Sequence, residues 1–352
     1  MRVVSTSALP IDLAAQVVAA IPGTVVEIPP SGHVGLAGLD LTTADALVCL
    51  LLDRIDAALL ARAPNLKVVA NCAVGIDNID LAAATAAGVC VTNTPDVLTE
   101  ATAELAFALL LTAARRLGEG ERLVRSGGWT GWALDQLIGT GLTGKTLGII
   151  GFGRIGQAMA RRAVCFGMHV IYADPVSHGD HSAVRGPLPV ERSESPVGVE
   201  SDPTGSAGGA GGKASRGIDE VFATADAVSL HCPLTPATRN LVDARRLALM
   251  KPTAILVNTA RGGCVDEPAL IEALTERRLF AAGLDVYARE PAIDPRMLSC
   301  PGLVLAPHIG SATRETRGAM AQLCADAVIS VLRGHRPGNL VNNVTPSWSR
   351  RS

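Results

Sequence analysis

Lysine is nearly missing from this chain. Of 31 basic residues only Lys67, Lys145, Lys213 and Lys251 are lysines, and arginine supplies the rest. We read that bias as base composition of the gene, not function. No block of basic residues occurs and the formal net charge is −2. Phosphate backbones are bound by concentrated Lys and Arg, so a nucleic-acid partner is not expected. Aromatic residues make up 3% against 48% apolar residues, so Ala, Val and Leu must fill the core. The eight cysteines form no CxxC pair and show no metal-ligand spacing with a histidine. Buried, reduced thiols in a cytoplasmic protein are the expectation, with no bound metal. Long apolar runs are also absent. The longest, Ala101 to Ala114, contains Glu104 and is too short to span a bilayer. The first residues, MRVVSTSALP, read as a strand and turn and not as a signal peptide, so no membrane partner is expected.

What is present is alternation. At 352 residues the chain has room for two domains, each with a buried core. Short apolar strands at 2–5, 24–28, 46–50, 67–70 and 89–92 alternate with helical stretches such as 11–20 and 79–87. A long helix follows from Thr99, which can cap it, to about Leu117. The alternation resumes with strands at 147–150, 169–172, 227–231, 254–258 and 281–285 and helices at 154–166, 245–250 and 267–277. A last helix spans about 312–333. This pattern predicts an α/β protein with parallel sheets covered on both faces. Residues 177–216, rich in Gly, Ser and Pro, break it and are expected to form a disordered surface insertion. Residues 346–352 read as a frayed tail.

GFGRIG (151–156) follows an apolar strand and opens a helix. Gly151 permits the tight turn, Gly153 lets a pyrophosphate approach, and Gly156 allows close helix–strand packing. The N–H groups near Arg154 and Ile155 can bind phosphate oxygens. Asp174 ends the next strand, 18 residues after Gly156. A carboxylate there suits the ribose hydroxyls of NAD and repels a 2′-phosphate.

Three later segments, NTARGGCVDE (258–267), AGLDVYAREP (282–291) and APHIGSAT (306–313), each offer one group suited to carbonyl reduction. Hydride addition to a ketone creates an alkoxide, which needs a proton and a nearby cation. His308 can supply the proton. Glu290 can orient the ring and favour its protonated form. Arg261 can bind the 2-oxo oxygen and a carboxylate together. The other six histidines read as structural. His231, before Cys232-Pro233, is either that or a lining residue of a cofactor cleft.

Together these segments resemble the D-isomer-specific 2-hydroxyacid dehydrogenase family, over nearly the whole chain outside 177–216. Within it, NTPDVLTEATAELAFALLL (93–111) and RSGGWTGW (125–132) look most like glyoxylate/hydroxypyruvate reductases. The resemblance implies two doubly wound parallel-sheet domains with a cleft between them. A flavodoxin-like substrate domain would comprise 1–98 and 312–345, and a Rossmann NAD domain 99–311. It implies Arg261, Glu290 and His308 as catalytic residues. ANCAVGIDNID (70–80) is similar to the family's substrate loop, so the backbone N–H groups of Val74 and Gly75 would hold the substrate carboxylate. Thr102, Arg154, Ile155, Asp174, Cys232, Thr259, Ala260, Asp285, His308 and Gly310 would surround NAD. A homodimer through the 99–132 arm is implied as well. Trp132 would either reach the partner's substrate pocket or pack in the interface.

The expected reaction is NADH-dependent reduction of a small 2-oxo acid, glyoxylate or hydroxypyruvate, to the D-2-hydroxy acid. Phosphoglycerate dehydrogenase, another D-2-hydroxyacid dehydrogenase, and a non-catalytic NAD-sensing, corepressor-like protein are the alternatives.

Overall fold

The structure, a computed structural model, describes residues 1–174 and 217–344. The expected insertion at 177–216 and the tail at 346–352 lie outside them. The chain divides into two compact units, Met1–Thr102 with Ile309–Ser352, and Ala103–His308.

In the first unit, strands β1 (Arg2–Ser5), β2 (Val25–Glu27), β3 (Ala46–Cys49), β4 (Val68–Asn71) and β5 (Cys90–Thr92) form one parallel sheet. Its order is β2-β1-β3-β4-β5. Helices α1 (Leu13–Ala20), α2 (Ala57–Ala61) and α3 (Leu81–Ala86) connect the strands. Each starts at an aspartate whose carboxylate accepts a first-turn N–H: Asp12 from Ala15, Asp56 from Leu59 and Asp80 from Ala83. The pleat sends alternate residues to opposite faces. Leu47, Cys49 and Val69 enter one core, and Ala46, Val48, Val68 and Ala70 the other.

The second unit starts within helix α4 (Thr99–Ala114) and continues through α5 (Leu117–Arg125). The sequence predicted one helix from a Thr99 cap to about Leu117. Thr99 is instead the first helical residue, and the helix stops at Ala114. There the N–H of Thr140 takes the Ala114 carbonyl at 2.8 Å, and Arg116 turns left-handed at φ 51° to start α5. A returning loop, not local propensity, ends α4.

Strands β6 (Thr146–Ile150), β7 (His169–Ala173), β8 (Ala227–Leu230), β9 (Ile255–Asn258), β10 (Ala281–Leu284) and β11 (Leu303–Leu305) follow. They are joined in part by α6 (Arg154–Cys165), α7 (Ile218–Thr224), α8 (Ala244–Leu249) and α9 (Glu267–Thr275). The sheet is parallel in the order β11-β10-β9-β8-β6-β7. Leu147, Ile149, Ile255 and Val257 pack on one face, and Ile150, Val228, Leu230 and Leu256 on the other. Strand β11, three residues long, was not expected from sequence. Helix α10 (Arg314–Leu332), capped by Thr313, returns to the first unit. Its Cys324, Ala325, Val328, Val331 and Leu332 pack with Val3, Val48 and Val68.

The cysteines correct one expectation. Cys49, Cys90, Cys232, Cys264 and Cys324 are buried thiols, but Cys72 and Cys300 are half-buried and Cys165 is exposed at the end of α6. Among the described residues no helix is long and apolar enough to cross a membrane.

Candidate active site

The candidate groups lie at strand C-termini. Strand β6 has β7 on one side and β8 on the other, so the chain leaves it at a topological switch point, where ligands bind in open α/β sheets. Gly151 follows β6 at φ +89°, and a Cβ there would lie 2.7 Å from the backbone of His231 and Cys232. Only glycine fits that approach. Gly156 packs its Cα face against the Gly151 carbonyl, where a Cβ would sit 2.3 Å away. Gly153 opens α6 and faces open space.

A pyrophosphate fits this loop. The first turn of α6, with Arg154 and Ile155, carries N–H groups that have no partner within the helix. Thr259, just past β9, holds a buried hydroxyl with no partner among the described residues, a polar atom that a bound dinucleotide can satisfy. Asp174 directly follows β7, while Cys232, Ala260 and Asp285 are buried immediately past β8, β9 and β10. Thr102 and Gly310 lie in the other unit, where the Thr102 hydroxyl donates to the Gly310 carbonyl at 3.4 Å.

The second cluster follows from register. Asn258, Leu284 and Leu305 stand in one row across β9, β10 and β11. Arg261, Tyr287 and His308 each sit three residues beyond that row. Gly262 makes the loops converge. A Cβ on it would lie 1.9 Å from the Tyr287 carbonyl carbon, so the loop bearing Arg261 lies directly on the loop bearing Glu290. The Tyr287 hydroxyl donates to the Ala306 carbonyl at 2.9 Å, and the His308 N–H donates to the Asp285 carbonyl at 2.9 Å. Gly262 and Tyr287 were not singled out in the sequence; the doubled glycine after Arg261 was the available signal for the first.

Within this frame His308 Nδ1 and Glu290 Oε2 are 2.6 Å apart. Glu290 Oε1 also accepts the Tyr287 N–H at 2.8 Å. Burial by itself would push the Glu290 carboxyl up. Hydrogen bonds from His308 and Tyr287, with the charges of His308 and Arg261, outweigh it and hold the carboxyl below its ordinary value. Glu290 is thus an anion that fixes Nδ1 as the protonated nitrogen. His308 Nε2 has no partner among the described residues. His308 adopts φ +53°, a left-handed conformation that costs a non-glycine residue about 1 kcal/mol or more and is held by the surrounding hydrogen bonds.

His231 is tied to Ser229 Oγ at 2.8 Å, and burial pushes its imidazole down to about 4. Val74 and Gly75 are half-buried in the loop after β4, in the first unit. Trp132 is 80% exposed in the segment between α5 and β6.

The fold and this site define an NAD-linked oxidoreductase. The profile described as "D-isomer specific 2-hydroxyacid dehydrogenase, NAD binding domain" matches residues 107–193 and 201–310. Over 302 residues the chain is 47% identical to a glyoxylate reductase of Thermococcus litoralis, covering 85% of this chain and 83% of the relative. Among solved structures, the TT0316 protein of Thermus thermophilus superposes with a TM-score of 0.82 at 41% identity, covering 97% and 100% of the two chains. The D-lactate dehydrogenase of Aquifex aeolicus, solved with NAD and lactic acid, gives 0.77 at 25% identity over 97% and 99%. The chain belongs to the D-isomer-specific 2-hydroxyacid dehydrogenases. It is an NAD(H)-binding enzyme that reduces a 2-oxo acid.

Proposed function

We propose that the chain reduces glyoxylate, to achiral glycolate, or hydroxypyruvate, to its D-2-hydroxy acid, with NADH. The observation that carries this reading is the 2.6 Å contact between His308 Nδ1 and the Glu290 carboxylate, with Arg261 close enough to bias that carboxylate. When bound, the nicotinamide supplies the hydride. Protein groups do the rest. Glu290 accepts a hydrogen bond from Nδ1 of a doubly protonated His308, leaving the Nε2 proton to pass to the nascent alkoxide. Arg261 polarises the carbonyl, and its fork of donors holds charge on the oxygen. The N–H groups of Val74 and Gly75 hold the carboxylate. Asp174 accepts from ribose hydroxyls and disfavours a 2′-phosphate, which supports NADH over NADPH.

A homodimer in the cytoplasm completes the reading. Trp129, Trp132, Leu134 and Ile138 are 55–83% exposed within ten residues, an apolar surface suited to a second copy.

His308→Ala is expected to lower kcat on glyoxylate by about 10²–10⁴-fold while NADH binding, read by fluorescence titration, is retained. Near-normal turnover in that variant contradicts the assignment.

A further inference from the structure

The loop after β4 is built so that three successive carbonyls are occupied and the three N–H groups that follow them are not. The Thr94 N–H donates to the Ala73 carbonyl at 2.9 Å. The side-chain amide of Asn93 donates through Nδ2 to the Val74 carbonyl at 2.8 Å. Asn71 Nδ2 donates to the Gly75 carbonyl at 2.8 Å. In a planar trans peptide the C=O and the following N–H point in opposite directions. Each bond therefore turns one N–H away from its donor: that of Val74, of Gly75 and of Ile76. None of these three meets an acceptor among the described residues. All three residues are half-buried, not fully solvated.

Unpaired, partly desolvated backbone donors in succession are an anion site. Here they are held from behind. Asn71 is fully buried, and its Oδ1 accepts from Asn78 Nδ2 at 3.4 Å and from the Cys49 thiol at 3.6 Å. Asn78 is itself fixed by the Asp53 carbonyl at 2.9 Å. Asn93 is held through its own carbonyl, which accepts from Asn339 Nδ2 at 2.6 Å. Only the amino end of each amide can face a carbonyl oxygen, so the amide orientations follow from the bonds.

We propose that Asn71 and Asn93 are positioning residues that preset the carboxylate anchor, and that the Ile76 N–H is a third donor beside those of Val74 and Gly75. This rests on the reductase reading above, since the anion is taken to be the substrate's carboxylate. A preset anchor binds the carboxylate alike before and during hydride transfer, so weakening it raises KM more than it lowers kcat.

The test compares Asn93→Ala, Asn93→Asp and Asn93→Gln with the unsubstituted enzyme on glyoxylate. Asn93→Ala is expected to raise KM about tenfold or more with kcat within about threefold and NADH affinity unchanged. Asn93→Asp, which cannot donate and adds a repelling charge, is expected to be worse, and Asn93→Gln, which keeps the donor, to recover part of the loss. An unchanged KM, or KM, kcat and NADH affinity failing together, overturns the proposal. Amide ¹H–¹⁵N spectra of the unsubstituted protein titrated with oxalate give a reading that no variant's folding affects. Shifts at Val74, Gly75 and Ile76 support the anchor, and an unmoved Ile76 overturns the third donor. Absence of glyoxylate turnover in the unsubstituted enzyme counts against the reductase reading alone, and the oxalate shifts then decide the anchor.

Discussion

At the scale of single residues, charge placement separates His308, the histidine proposed to react, from His231. His308 faces an ionised Glu290, whereas burial pushes His231 down to about 4 beside a neutral Ser229 hydroxyl. The folded value for His231 lies below its ordinary 6.5, so the unfolded chain binds more protons between those pH values. The stability that neutral His231 carries is complete above pH 6.5 and is lost as pH falls toward 4. The loss is on the order of 2–3 kcal/mol. His231→Gln is expected to flatten that part of the stability curve. Urea unfolding of both proteins at pH 7 and pH 5 checks it; equal acid losses contradict it. Much of this was legible in sequence. Arg261, Glu290 and His308 stand out because each carries a group the chemistry needs. Asn71, Asn93 and Ile76 do not, because the roles proposed for them depend on which backbone group each meets, and that is decided only by the folded loop.

At the scale of elements, the site is set by strand register and one close backbone approach. Strand periodicity was readable for most of both sheets. Strand β11 was not, because three residues after Pro301-Gly302 carry too little pattern, and yet it is the strand that delivers His308. The break between α4 and α5 was also hidden, since the carbonyl that ends α4 is taken by Thr140, 26 positions beyond Ala114. Gly262 is the element-level test. Any Cβ there must displace the Tyr287–Ala288 backbone, so Gly262→Ala is expected to destabilise the fold by about 1–3 kcal/mol. Because the same shift separates Arg261 from Glu290, kcat on glyoxylate should fall at least about tenfold even where the protein remains folded. Calorimetry with steady-state kinetics checks both, and wild-type kcat in a destabilised protein would separate packing from function.

At the scale of the whole molecule, assembly and reaction are each open to a direct test. The exposed Trp132, Leu134 and Ile138 predict a sedimenting species of twice the 36.2 kDa chain mass. Leu134→Asp is expected to shift that species toward monomer, as read by sedimentation velocity; a monomer before substitution contradicts the dimer. The reaction is the second property of the whole molecule. It is tested most directly by steady-state oxidation of NADH and NADPH against glyoxylate, hydroxypyruvate, pyruvate and 3-phosphohydroxypyruvate. The expected result is highest kcat/KM with NADH on glyoxylate or hydroxypyruvate, and its loss in His308→Ala. A clear preference for NADPH would contradict the role given to Asp174, and no turnover of any of the four acids would contradict the proposed reaction.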